Sequence, residues 1–393
     1  MGKHGKKQSL NHRRGKKSSY ALQDNEEEET NGYPLNPSSA LSDSDQESQE
    51  EDEENQEKDK GSETSAGIDS GLPSKFSLYQ QSVQSPKGDI SYLQKFFLMY
   101  VGGRAPLHLQ EDFCGTALLS VEWLHGDARR TAIGLDLDVE ALNWCLENNV
   151  NRIGPDVCSR ISLLHGNVLQ PLESKLVNFS PDEILQKMTL EDDEGDSMDG
   201  TTSSGVQDSA EAGQNANSLN DVQLPPRDIV CAFNYSCCCL HNRKELILYF
   251  KHALNTLSRK GGIFVMDLYG GTSSEGVLRL QRKFPNFTYV WEQAEFDIIQ
   301  RKTRISLHYN LHKQQRKIRH AFSYSWRLWS LPEVKDCLEE AGFRSVHFWI
   351  RNMPDSEQIR RTDGLSAGRD IKYEEATSFQ QQDSWNAYVV AVA

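Results

Sequence analysis

The chain has 393 residues, enough for one large domain or two ordinary ones. Its formal charge of −14 is unevenly carried: residues 21–70 hold 17 acids against two lysines, and residues 191–222 hold nine acids and no base. Residues 1–20 carry seven Lys/Arg and no acid, so the first 70 residues hold −8, the later stretch −9, and the rest of the chain, at +3, is close to neutral; the acidity therefore says little about the substrate, and with no 18-residue apolar run and no apolar leader, neither a membrane span nor a secretory signal is expected.

Residues 1–74 read as a disordered tail, basic and then acidic, because they hold too few apolar residues to offset the backbone entropy lost on folding. The basic run at 3–17, "KHGKKQSLNHRRGKK", fits a nuclear-import signal, an arm that seeks nucleic acid, or a solvated tail. The acidic part fits a surface for unknown protein partners. The eight cysteines have no CxxC spacing, so an intracellular chain with reduced thiols, in the cytoplasm or nucleus, is expected. "DISYLQKFFLMYV" (89–101) predicts an amphipathic helix. Then strands and helices alternate: "PLHLQEDF" as a strand, "TALLSVEWLHGD" as a helix, "RTAIGLDLD" (130–138) as a strand, and "VEALNWCLENNVNRI" as a helix. "RISLLHGNV" (160–168) is a third strand and "SPDEILQKM" a helix, followed by an acidic insertion expected to be disordered at about 189–226. "PRDIVCAFNYS" (226–236), helix "RKELILYFKHALNTLS" and "KGGIFVMDLYGG" (260–271) complete five βα units. Short apolar runs alternating with longer helical stretches imply a doubly wound, mostly parallel sheet. From about 284 to 330 the chain turns aromatic, β-branched and alternating, which reads as a small antiparallel β region. "LPEVKDCLEEAGF" is a helix with Pro332 in its first turn and Gly342 as its stop, and "SVHFWIR" and "NAYVVAVA" are closing strands.

The stretch "EDFCGTALLS" (111–120) places a turn between the first strand and its helix, where open sheets bind cofactors. A dinucleotide loop needs G-x-G-x-x-G, because its second glycine lets backbone approach a pyrophosphate. Here Phe113 and Ala117 add side chains and only Gly115 remains. That argues against NAD more than against a cofactor without phosphates. Asp136 ends the next strand 21 residues after Gly115, the place from which a carboxylate accepts from ribose hydroxyls. Asp138 is the competing acid, and its other role is to cap the following helix.

With five βα units, a helix ending in "AGF" and two closing strands, residues 75–393 resemble the class I S-adenosylmethionine-dependent methyltransferases. In that family the first loop reads roughly Asp-x-Gly-x-Gly-x-Gly. Glu111 stands at the acid, Phe113, Gly115 and Ala117 at the glycines, and "CGT" (114–116) matches a common form. The loop Asp-Phe-Cys-Gly-Thr-Ala, the lead-in "YQQSVQSP" (79–86) and the segment "SWRLWS" are similar to a subgroup of the family; the likeness brings no acceptor with it. The fold implied is a Rossmann-like doubly wound sheet, mostly parallel with an antiparallel last strand, plus a small antiparallel β insertion. The cofactor implied is S-adenosyl-L-methionine, held by Glu111, Phe113, Cys114, Gly115 and Thr116, by Asp136 and Leu137, by Asn167 and Val168 at the third strand, and by Phe233. Asn167 takes the place that faces the adenine amino group, where Asp is commoner; it is alternatively a turn residue after Gly166. Phe113 is expected to lay its backbone along the methionine end and turn its ring into the core.

The methyl of a sulfonium is already activated, so such an enzyme works mainly by positioning, worth about 7–11 kcal/mol of a barrier. No catalytic dyad is required. Asn234 and Tyr235, after the fourth strand, are the candidates to line the methyl and acceptor. Cys237, Cys238 and Cys239 are consecutive and cannot readily surround one ion, so no metal is expected. Tyr269, Tyr324, Trp326 and Arg327 are candidate acceptor residues, with Asp267 near the pocket mouth. In "HAFSYSWRLWS" alternation places Phe322, Tyr324, Trp326 and Leu328 on one face and Arg327 and Trp329 on the other. The β region would roof a pocket, which favours a small-molecule acceptor. A protein or RNA acceptor, suggested by the basic runs, and a non-catalytic binding protein, suggested by the lost glycines, are the alternatives.

Overall fold

The structure, a computed structural model, describes residues 72–152, 154–177, 224–352 and 372–393. The tail expected at 1–74, the helix expected at 180–188 and the insertion expected at 189–226 lie outside these residues, apart from 72–74 and 224–226.

Two helices come first, α1 (Lys75–Val83) and α2 (Pro86–Tyr100). Only α2 has an apolar period that marks it in the sequence. The polar run Tyr79-Gln80-Gln81-Ser82 carries no apolar stripe, yet Ser74 caps α1 by accepting from the Phe76 amide, and Phe76 and Leu78 are buried. In α2 the stripe Ile90, Leu93, Phe96 and Phe97 is buried, and Pro86 occupies the first turn, where no amide is missed.

The main sheet then builds outward from β1 (His108–Asp112). Helix α3 (Leu118–His125) leads to β2 (Thr131–Asp136), α4 (Val139–Cys145) with a π-helical turn over Leu146–Val150, a one-turn α5 (Pro155–Cys158), β3 (Ile161–His165) and the short β4 (Lys175–Leu176). The chain returns at β5 (Ile229–Ala232), followed by α6 (Arg243–Thr256) and β6 (Ile263–Gly270). An antiparallel excursion follows: β7 (Leu278–Lys283), β8 (Phe287–Gln293), β9 (Lys302–Leu311) and β10 (Arg316–Arg327). Helix α7 (Leu331–Ala341), β11 (Ser345–Asn352), the two-residue β12 (Glu374–Glu375) and β13 (Trp385–Val392) complete the described elements.

The nine-stranded sheet runs β12-β11-β13-β6-β5-β1-β2-β3-β4. Neighbours among β1, β2, β3, β5 and β6 pair in parallel, whereas β13 slots between β6 and β11 antiparallel to both. This is a Rossmann-like doubly wound sheet with an antiparallel last strand. Its central strands are buried on both faces, which is why β5 reads as an unbroken apolar run. The helix boundaries follow local chemistry. Ser330 and Glu333 form a capping box at the start of α7, and Gly342 ends it at φ +115°, a left-handed angle that suits only glycine well.

The β insertion forms a separate four-stranded sheet, β10-β9-β8-β7. It begins at Leu278, six residues before the expected start, because the alternation of "LRLQRK" buries only Leu280 and does not stand out in sequence. One face carries Phe287, Tyr289, Trp291, Leu307, Tyr309 and Trp326, all buried in the same cluster as the ends of β5 and β6. The expected alternation holds to Arg327; there β10 ends, so Leu328 and Trp329 are both buried rather than on opposite faces.

Candidate active site

The order of strands reverses beside β1: the chain moves from β1 to β2 and β3 on one side, then returns to β5 on the other. At such a switch point two loops diverge from the carboxyl ends of adjacent strands and leave a crevice. Those loops are residues 113–117 after β1 and 233–240 after β5.

The first loop holds left-handed backbone at alternate residues: φ is +56° at Phe113, +52° at Gly115 and +47° at Ala117. These are the three positions where the resembled family has glycine. Phe113 and Ala117 adopt a conformation costing an ordinary residue roughly 1–2 kcal/mol, so surrounding contacts must enforce it. They can be named. The Asp136 carboxylate accepts from the Gly115 amide at 2.6 Å and from the Asp138 amide at 2.8 Å. Gln80 of α1 donates to the Thr116 hydroxyl at 2.8 Å, and Asn149 donates to the Thr116 carbonyl at 2.8 Å. Glu111 lies buried under the loop, accepting from the amide and hydroxyl of Ser120 in the first turn of α3. Cys114 is buried beside Gly134, where an added Cβ would lie 2.9 Å from its Sγ. The Phe113 ring turns to the core and meets Tyr249 edge-on at 5.6 Å. A Cβ built on Gly115 would meet nothing within 4 Å, so the loop borders open space at its middle residue.

Ala117 tests this account. Its methyl is fully buried, so Ala117→Gly loses about 0.8 kcal/mol of apolar burial and gains about 1 kcal/mol from relief at φ +47°. The two nearly cancel. Urea unfolding should place Ala117→Gly within about 0.5 kcal/mol of the parent and Ala117→Val, β-branched in left-handed backbone, at least about 2 kcal/mol below it. Equal losses in the two variants would contradict a strained loop.

The second loop is held in the same manner. Asn234 and Tyr235 are consecutive left-handed residues, at φ +58° and +60°. Asp267 of β6 accepts from both of their amides, at 3.0 and 2.8 Å. Asp267, expected near the pocket mouth, is half-buried and anchors the loop. The half-buried Asn234 side-chain amide has no hydrogen-bond partner among the described residues, whereas the Tyr235 ring is buried 4.8 Å from Tyr269 and 5.8 Å from Trp326. Cys237 and Cys238 are buried packing residues and Cys239 is exposed. Among the described residues no group of three or more His, Cys, Asp or Glu is placed to hold a metal ion.

The antiparallel sheet meets this loop through an aromatic cluster of Tyr269, Trp291, Tyr324 and Trp326, with centroids 5.5–6.1 Å apart. Tyr79 of α1 packs on Phe322 of β10 at 5.0 Å. The "SWRLWS" segment clamps the loop itself. His241 pairs with the Ser325 carbonyl, Arg327 donates to the His241 carbonyl, and Trp329 donates to the Leu240 carbonyl. The Arg327 guanidinium also meets Glu333 at 3.1 Å and lies 3.8 Å from the Trp329 ring centroid. It is engaged in structure, and a ligand carboxylate would have to compete with Glu333 for it.

The remaining expected residues divide. Phe233 and Val168 are buried. Leu137 is exposed at the tip beyond Asp136. Asn167 Oδ1 accepts from the Leu169 amide at 2.9 Å, the turn role weighed as its alternative. Gln80 and Asn149 were not foreseen as loop anchors. The quoted lead-in "YQQSVQSP" held the first signal; nothing in sequence marked Asn149, which lies in the π-helical turn.

Four carboxyls lie in α2 and at the β1 and β6 ends, Glu111 and Asp112 buried and Asp89 and Asp267 half-buried. Burial pushes Asp89 to about 7, Glu111 to about 7, Asp112 to about 6 and Asp267 to about 8, in each case against hydrogen bonds that pull downward. Free carboxyls titrate near 4. Between about pH 4 and 8 the folded chain therefore holds protons that the unfolded chain has released, and stability falls as pH rises. Urea unfolding at pH 5.5 and 8.5 should show the protein more stable at the lower value, by an amount on the order of a few kcal/mol. A flat or rising profile would refute burial as the governing effect.

No protein-family model matches the chain, and no curated protein matches it. Solved structures do. An S-adenosylmethionine-dependent methyltransferase from Clostridium acetobutylicum is 12% identical with a TM-score of 0.44, over 79% of this chain and 95% of that one. The CcbJ methyltransferase from Streptomyces caelestis is 13% identical with a TM-score of 0.45, over 81% and 97%. CalS10, an amino pentose methyltransferase from Micromonospora echinaspora with S-adenosylmethionine bound, is 12% identical with a TM-score of 0.43, over 80% and 94%.

Proposed function

We propose that this chain is an S-adenosylmethionine-dependent methyltransferase acting on a small molecule. One observation carries the reading. The switch-point loop keeps left-handed backbone at Phe113, Gly115 and Ala117, and Asp136 grips its central amide. The residues fit the cofactor. Space is open beside Gly115, Asp136 retains acceptor capacity for ribose hydroxyls, and no glycine-rich cradle for a pyrophosphate is present. Backbone at Gly115 and Thr116 would hold the methionine end, and Asp136 the ribose. Asn167 would meet the adenine only if its amide also served beyond the turn it now closes. When bound, the cofactor supplies an activated methyl. The chain's own part is to hold an acceptor in line and to exclude water.

Asn234 is the candidate to orient the acceptor, since its amide is half-buried at the loop beside β5 and its backbone is fixed by Asp267. The Tyr235 ring is packed into the aromatic cluster and supports the loop. Tyr324 and Trp326 of the β insertion and Tyr269 of β6 form an aromatic wall, which favours a small, flat or cationic acceptor over a polymer. The non-catalytic alternative rested on two lost glycines. Their backbone conformation is retained by other residues, which supports the enzymatic reading over this one.

The test is a methyl-labelling screen of cell extract split into metabolite, RNA and protein fractions. Label in the metabolite fraction is expected. Label confined to RNA or protein would replace the small-molecule reading, and no label together with no binding of S-adenosylhomocysteine in calorimetry would sink the enzyme.

A further inference from the structure

The outer face of the antiparallel sheet, turned away from the aromatic wall, gathers a cluster of charged and imidazole side chains. A cavity of about 250 Å³ opens there, bordered by Arg279 of β7, Glu292 of β8, His308 and Asn310 of β9, and Lys317 and Arg319 of β10. Strand register explains the gathering. Arg279 pairs with Glu292 across β7–β8, and Asn310 pairs with Lys317 across β9–β10. Between Ile318 and Phe322 the register shifts, so that three residues of β10 oppose His308 alone. His320 sits in this bulge at φ +50°. A bulge of this kind re-aims side chains, and here it brings the His320 ring to 4.7 Å from that of His308.

His308 is the informative residue. It is 9% exposed, and its Nδ1 accepts from the His320 backbone amide at 2.9 Å. An accepting Nδ1 carries no proton, so the neutral ring bears its hydrogen on Nε2. That Nε2 is buried and has no hydrogen-bond partner among the described residues, while His308 itself borders the cavity; the carboxylate of Glu292 stands 3.7 Å away. Burial, with Arg279, Arg319 and His320 nearby, lowers the imidazole below its ordinary value and keeps it neutral. A buried donor left unpaired is costly, and an acceptor entering the cavity would satisfy it. Lys317 and Arg319 are exposed and form no ion pair among the described residues, while Arg279 meets Glu292 only at 3.7 Å. Three cations against one acid, with one neutral N–H at the floor, suit an acceptor-rich anion.

We propose that this cavity binds the phosphate group of a small phosphomonoester, with His308 Nε2–H donating at its floor and Lys317, Arg319 and Arg279 at its rim. A terminal phosphate presents three acceptor oxygens and fits a compact concavity of this size. A phosphodiester backbone would track along an open groove. The proposal is independent of the methyl-transfer reading, since none of its residues belongs to the switch-point loops.

Calorimetric titration of the full chain with inorganic phosphate and with methyl phosphate decides it. One-to-one saturable binding is expected. Lys317→Ala and Arg319→Ala should each weaken it about tenfold at unchanged unfolding midpoint. Glu292→Gln, which removes the one acid bordering the cavity, should tighten it several-fold. Absence of saturable heat, equal affinity in all variants, or a weaker Glu292→Gln complex would overturn the proposal. Tighter binding of a short RNA than of methyl phosphate would do so as well, because it would make the site a backbone groove.

Discussion

Asp136→Ala should abolish detectable binding of S-adenosylhomocysteine in calorimetry, a loss of at least about a hundredfold. Two effects combine. The variant removes the acceptor for ribose hydroxyls, and it releases the Gly115 amide that Asp136 holds at 2.6 Å. Removing one partner of a charge-assisted hydrogen bond costs about 1.5–3 kcal/mol, and each 1.4 kcal/mol is a factor of ten. Asp136→Asn separates the two roles. Its amide oxygen still accepts from Gly115, so the loop should stay ordered while ribose recognition weakens. Binding by Asp136→Ala within threefold of the parent would remove Asp136 from the cofactor site, leaving Asp138 as the candidate. The structure already lowers that alternative: Asp138 accepts from the Ala141 amide and caps α4.

The second large effect belongs to Asp267. Its carboxyl is pushed up to about 8 by burial, yet it accepts from two amides in succession. Asp267→Ala leaves both amides unpaired, each costing about 1–3 kcal/mol, partly offset by the carboxyl burial no longer required. The net loss should be about 2 kcal/mol, which lowers the thermal midpoint by roughly 4–8 °C. The two left-handed residues should then relax, and hydrogen exchange at Asn234 and Tyr235 should quicken by more than tenfold, while exchange in β13 stays slow. Relaxation of that loop by 1 Å is enough to lower transfer about a hundredfold once an acceptor is in hand. Unchanged exchange at these two amides would show that the aromatic packing of Tyr235, and not Asp267, fixes the loop.

Much of this architecture could be read in one dimension because its signals are local. Strands buried on both faces show as short apolar runs, and β5, "IVCA", is one. The stop at Gly342 and the cap at Ser330 are written in the residues that make them. Asp136 was found by its spacing from Gly115, since consecutive parallel strands place their ends side by side. Helix α1 and strand β7 were missed for the converse reason. Neither has an apolar period of its own, and each is ordered by contacts with distant segments, as in the reach of Gln80 to Thr116, 36 residues away.

The sequence by itself therefore determined the doubly wound class, the switch-point loop, the acid that follows it and the existence of an aromatic β insertion. Tertiary structure alone decided how the loop works without its glycines. Left-handed angles at Phe113 and Ala117 are unfavourable locally and are imposed by Asp136, Gln80 and Asn149, none of them a neighbour in sequence. It also decided that Asp267 anchors Asn234 and Tyr235, that Arg327 is held by Glu333, and that a β-bulge gathers His308, His320 and Arg319 on the outer face. Propensity and periodicity report what a segment prefers alone; strain, anchoring and the pairing of charges are properties of segments brought together.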